Sequence, residues 1–97
     1  MRAKDLIEAV ETQTKPIFTN ETERCLYLVG IGNWEEAHEF VEKLPEPGAS
    51  WIHAMMHREE GDKSNARHWY LRADKRIPKE KVTMMEEWTM IVKDLLT

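Results

Sequence analysis

Apolar residues in this chain recur at helical spacing, and most such runs open on a capping residue and close on glycine or proline. Leu6, Ile7 and Val10 make a short amphipathic stripe that fades before Lys15-Pro16. Asn20 with Glu23 has the form of a capping box, in which two side chains satisfy free N–H groups at a helix start. Cys25, Leu26, Leu28 and Val29 extend that helix to Gly30 or Gly32. Asn33 with Glu36 repeats the signature ahead of Trp34, Ala37, Phe40, Val41 and Leu44, and Pro45 and Pro47 end the stripe. Ser50 is the expected cap of the next helix, which runs to Gly61. Asp62 should cap the following one, with Ala66, Trp69, Tyr70 and Ala73 facing inward. Pro78 should open the last, with Val82, Met85, Trp88, Val92 and Leu95 inside. No stretch alternates with period two, so no strand is assigned.

The expected fold is therefore all-α, with five or six helices in antiparallel hairpins. At 97 residues the chain suffices for a single domain. An internal repeat supports the hairpins. Gly32-Asn33, Ala37, Phe40 and Val41 recur at the same spacing as Gly61-Asp62, Ala66, Trp69 and Tyr70. In each unit a glycine ends one helix, a polar residue caps the next, and an alanine lets the two approach closely. The repeat units cover about 20–45 and 49–77, and a C-terminal capping helix covers 79–96. The third, fourth and fifth helices should form the centre.

Eighteen acidic residues against fourteen basic give a net charge of −4. Nucleic-acid binding rests on clustered Lys and Arg that neutralise phosphates, and here the basic residues are scattered among acids. No run approaches the ~20 apolar residues of a membrane span. Neither a nucleic acid nor a membrane is an expected partner. The single Cys25 cannot form an internal disulfide and reads as a small buried apolar residue, which fits the cytoplasm. The chain has no phosphate-cradling glycine loop, nucleophile elbow or paired-cysteine motif, so no cofactor is expected.

Chemistry concentrates on the segment Ser50 to Glu60. Trp51, Ile52, Ala54, Met55 and Met56 make this helix apolar almost all round, as in a central helix. Ser50, His53, His57 and Glu60 nevertheless share one stripe. Histidines at i and i+4 can ligate one metal ion, share a proton relay, or simply hydrogen-bond structural partners. A metal would need a further ligand, and His38, Glu42 and Asp62 are the nominees. His38 lies about 100° from the centre of its helix's buried stripe. Asn65 and Arg72 flank Trp69, and together they can form a wall for a planar or anionic ligand. The alternative is a core tryptophan with a hydrated rim.

Gly61, Asp62, Ala66, Tyr70, Ala73 and Pro78 resemble the second half of the tetratricopeptide motif. The run Gly32-Asn33-Trp34-Glu35-Glu36-Ala37-His38-Glu39, with His57, Gly61 and Asp62 further on, resembles a bacterial helical family of unknown function. Pro45 departs from that family's pattern, where a tryptophan is usual. From His53 to Ala73 the chain is similar to uncharacterised tetratricopeptide-like proteins. Their motif is His-Ala-x-x-His-Arg-x-Glu-Gly-Asp-x-x-Asn-Ala-x-x-Trp-Tyr-x-Arg-Ala. The resemblance implies a tetratricopeptide-like fold and adds Arg58 to the positions of interest, without implying a reaction.

The leading expectation is a ligand- or protein-binding module with a polar cleft lined by His53, His57, Arg58, Glu60, Asn65, Trp69 and Arg72. The rival is a metal-dependent or acid/base enzyme using His38, His53, His57 and nearby carboxylates. The chain would be a monomer or a homodimer, the latter pairing through an apolar patch around Met84, Trp88 and Ile91.

Overall fold

The computed structural model describes residues 1–96, and every regular element among them is helical. Six helices follow in order: α1 (Ala3–Thr12), α2 (Glu21–Gly30), α3 (Trp34–Val41), α4 (Gly48–Glu59), α5 (Lys63–Ala73) and α6 (Met84–Leu96). The helix pair α4–α5 packs most extensively, followed by α2–α3. None is long and apolar enough to cross a membrane.

The two glycine turns share one backbone geometry. Gly32 and Gly61 both take left-handed φ, at 86° and 82°. After each, Asn33 and Asp62 donate their backbone N–H to Leu28 and His57, five residues back. The glycine N–H reaches three residues back in both cases, which completes a Schellman closure. The next residues repeat the correspondence. Asn33 Oδ1 accepts from the Glu36 N–H at 3.4 Å, and Asp62 Oδ1 accepts from the Asn65 N–H at 3.4 Å. Ala37 and Ala66 are buried where the paired helices approach, and Val41 and Tyr70 fill the next turn.

The centre differs from expectation. Every residue of α4 from Gly48 to Met56 is buried, but α3 buries only Ala37 and Val41. The other large contributions come from α2, through Cys25 to Val29, and from α6. Helix α6 packs on α1, α2 and α4, so it joins the two ends of the chain as well as closing the bundle. Gly30 permits this. A Cβ there would lie 2.6 Å from Trp88 Cζ2 and 2.9 Å from Val10 Cγ2, so α1, α2 and α6 converge at a residue without a side chain. Trp88 completes the joint by donating its indole N–H to the Leu26 carbonyl at 2.8 Å.

Several boundaries move. Ser50 does not cap α4; it lies inside the helix, where its N–H and hydroxyl both donate to the Glu46 carboxylate. Pro78 does not open the last helix either. The segment stays irregular until Thr83, which forms a reciprocal capping box with Glu86: Glu86 N–H to Thr83 Oγ1 at 3.1 Å and Thr83 N–H to Glu86 Oε1 at 3.0 Å. Val82 therefore precedes the helix, and Met85 is exposed. Trp88 and Ile91, nominated for a dimer patch, are core residues. Asn20 caps α2 as expected, accepting from the Glu23 N–H at 2.9 Å. Glu23 reaches one residue further back than the motif requires, to the N–H and hydroxyl of Thr19.

Candidate functional site

Helices α3, α4 and α5 bring His38, His53 and His57 together, and His53 and His68 each meet Trp69. His53 is set inward by the buried α4, and its imidazole stacks on the Trp69 indole with ring centroids 4.4 Å apart and planes 21° apart. His38 from α3 and His57 one turn along α4 flank it, with centroids at 6.3 and 6.5 Å. On the outer side of Trp69, the Arg72 guanidinium lies 5.3 Å from the ring centre. His68 meets the same indole edge-on at 5.3 Å. The indole thus meets both a buried imidazole and an exposed guanidinium.

His53 is 7% exposed, and its Nδ1 makes no well-formed hydrogen bond, the Ala49 carbonyl one turn back being a weak acceptor. Burial and the neighbouring His38 and His57 hold its pKa below the usual histidine value. Glu42 and the Ala49 carbonyl oppose that shift without overcoming it. The imidazole is therefore neutral near pH 7, with Trp69 lying over it. The expected open cleft is closed at this point by aromatic packing.

His57 is more accessible. Its Nδ1 lies 3.6 Å from Glu60 Oε1 and 3.9 Å from Asp62 Oδ2, outside hydrogen-bond reach of either. Glu60 itself is exposed at the end of α4. Asp62 and Asn65 are occupied at the start of α5, where Asn65 Nδ2 donates to Asp62 Oδ2 at 2.7 Å. That bond and the Asn65 backbone N–H hold the Asp62 pKa below its ordinary value. Asn65 therefore strengthens a helix cap, its amide held on the Asp62 oxygen that lies 3.9 Å from His57. Arg72 lines the Trp69 wall, and its Nε also lies 3.9 Å from Glu46 Oε2. Among the described residues, no group of three His, Cys, Asp or Glu side chains could hold a metal ion. The nomination of His38, His53 and His57 as ligands gains nothing from the geometry.

Arg58 belongs to a different cluster, centred on a residue that sequence reasoning missed. Glu87 is 1% exposed and joins α4, α5 and α6. It accepts from Tyr70 Oη at 2.6 Å, from Trp51 Nε1 at 3.3 Å and from Arg58 Nη1 at 3.2 Å. Burial and the Glu87 carboxylate push the Tyr70 phenol up, so it remains a donor. Arg58 Nη2 donates to the carbonyls of Lys79 and Val82, at 3.0 and 2.7 Å. Those two bonds fix the irregular segment ahead of α6. The sequence signal for Glu87 was its place beside Trp88 on an inward-facing stripe, one position off the apolar set.

Cys25 behaves as a buried apolar residue. Desolvation pushes its thiol up to about 12, and its Sγ lies 3.7 Å from the Ala37 carbonyl. Compared with known families, curated proteins and solved structures, the chain matches none. Geometry alone carries the functional reading.

Proposed function

We propose that this chain is a tetratricopeptide-like binding module that recognises a ligand or protein segment at the Trp69 face of α3, α4 and α5. The observation that carries this reading is the His53 imidazole, buried against a half-buried indole with no well-formed hydrogen bond at Nδ1. A poorly satisfied polar atom in such a place costs up to about 1–3 kcal/mol. A ligand that displaces or slides along Trp69 would bring a polar group to His53 while its planar or cationic part meets the indole. Arg72, His57 and Glu60 supply the rim. Binding sites built on an aromatic platform with a few convergent polar groups follow this pattern.

Enzymatic acid/base chemistry is less well served, because neither carboxylate near His57 is within hydrogen-bond distance. The buried free thiol of Cys25 supports a reducing compartment such as the cytoplasm.

The test is a fragment screen followed by protein-observed NMR. Hits should cluster on the Trp69 indole and the His53 and His57 ring signals, and they should disappear in Trp69→Ala. A screen that yields no hit at these signals overturns the reading.

A further inference from the structure

A second cleft lies on the other border of α5. Arg67 and Trp69 are two residues apart, or about 200° around the helix, so this cleft is separate from the histidine face. Its volume is about 300 Å³, and it opens between α5 and segment 75–83. The Tyr70 ring forms the inner wall, and Ile77 and Pro78 form the outer one. Ile77 is 55% exposed, an apolar side chain left in solvent beside an apolar hollow.

The charged groups at this cleft are asymmetric. Lys63 and Arg67 line it one helical turn apart, and neither forms an ion pair among the described residues. Glu80 is the one carboxylate in the lining. Arg58 also lines the cleft, already fixed by Glu87 and by two backbone carbonyls. A guanidinium has five N–H donors, and those three bonds leave its Nε–H and one Nη1–H unspent. A cation held rigidly with donors to spare, next to two unpaired cations, suits an anionic headgroup. In a chain of net charge −4 this is a local reversal of sign.

We propose that this cleft binds a small organic carboxylate with an apolar tail. The carboxylate lies toward Arg58, Lys63 and Arg67, and the tail runs along Tyr70, Ile77 and Pro78. The site is independent of the Trp69 face, so either can fail without the other.

Octanoate and its uncharged counterpart octanol are the probes, titrated into the full chain and followed by NMR. Octanoate should produce saturating shifts at Tyr70, Ile77 and Arg67, with affinity about tenfold above that of octanol, since a charge-assisted hydrogen bond roughly doubles a neutral one. In the surface double variant Lys63→Gln with Arg67→Gln, the preference for octanoate over octanol should shrink to about threefold, the remainder resting on Arg58. Equal affinities in the native chain, shifts centred away from Tyr70 and Ile77, an unsaturated titration, or an octanoate preference that the double variant leaves undiminished would each overturn the proposal.

Discussion

The imidazole of His53 and the indole of Trp69 lie nearly parallel, with centroids 4.4 Å apart, although they come from different helices. Each depends on the other. Trp69 shields His53 from water, and the His53 ring covers one part of the indole. The contact makes the protonation of one side chain a matter of fold stability.

Stability should therefore fall as the solution is acidified below about pH 6.5, the ordinary histidine value. The folded pKa of His53 is depressed, by burial and by His38 and His57 against the opposing Glu42 and Ala49 carbonyl. The unfolded chain takes up the proton first. The contribution is fully present above the unfolded pKa, is lost as pH falls through it, and levels off below the folded pKa. A single such group changes stability by at most about 1.4 kcal/mol per pH unit. Urea unfolding from pH 7.5 to 5 measures this, and His53→Leu should flatten the profile across that window. An unchanged profile in the variant assigns the effect elsewhere.

The same substitution separates binding from folding at neutral pH. His53→Leu removes a poorly satisfied Nδ1 and puts an apolar side chain in its place, so stability should hold or rise. Fragment binding at Trp69 should weaken, because the group that awaits a polar partner is gone. Higher stability with binding intact would make His53 a packing residue only.

Glu87 should be among the most sensitive positions in the chain. Glu87→Ala leaves the Arg58 guanidinium, the Tyr70 hydroxyl and the Trp51 indole N–H without their shared acceptor. Breaking one side of a buried ion pair costs about 3–5 kcal/mol. Tyr70→Phe removes a single donor to that carboxylate and should cost about 1.5–3 kcal/mol. Denaturant midpoints should preserve that order, and similar losses in the two variants would remove Glu87 from the centre of the cluster.

What the sequence showed depends on whether a feature is local or assembled. Asn20, Asn33 and Asp62 were legible as caps because capping is decided within a turn of helix. The pairing of Gly32-Ala37 with Gly61-Ala66 was legible for the same reason. Glu87 was not, since its partners lie on α4 and α5 and only the folded chain brings them together. Pro78 misled because proline suits a first helical turn, yet Arg58 holds the carbonyls of Lys79 and Val82 outside a helix. Asn65 was placed correctly on α5, but its amide is taken up by the Asp62 cap. Trp69, His53 and Arg72 were expected in one cleft. Their stacking order needed the approach of α4 and α5.

Gly30 offers a test of how tightly α6 is set against the rest. Its backbone φ is not in the left-handed region, so glycine is not required there for conformation, and Ala has the better helix propensity. An added Cβ would meet two Trp88 ring atoms at 2.6 and 2.9 Å and Val10 Cγ2 at 2.9 Å. The ring can move only by giving up its hydrogen bond to the Leu26 carbonyl. Gly30→Ala should therefore destabilise the fold by about 1–3 kcal/mol, the usual cost of overpacking a core. Gly61→Ala meets open space but keeps a left-handed φ of 82°, so its cost should be smaller, about 1 kcal/mol, and purely conformational. Thermal unfolding of the two variants distinguishes the causes: Trp88→Phe should rescue part of the loss in the first and none in the second. A Gly30→Ala chain as stable as the native one would mean that α6 can shift outward without loss.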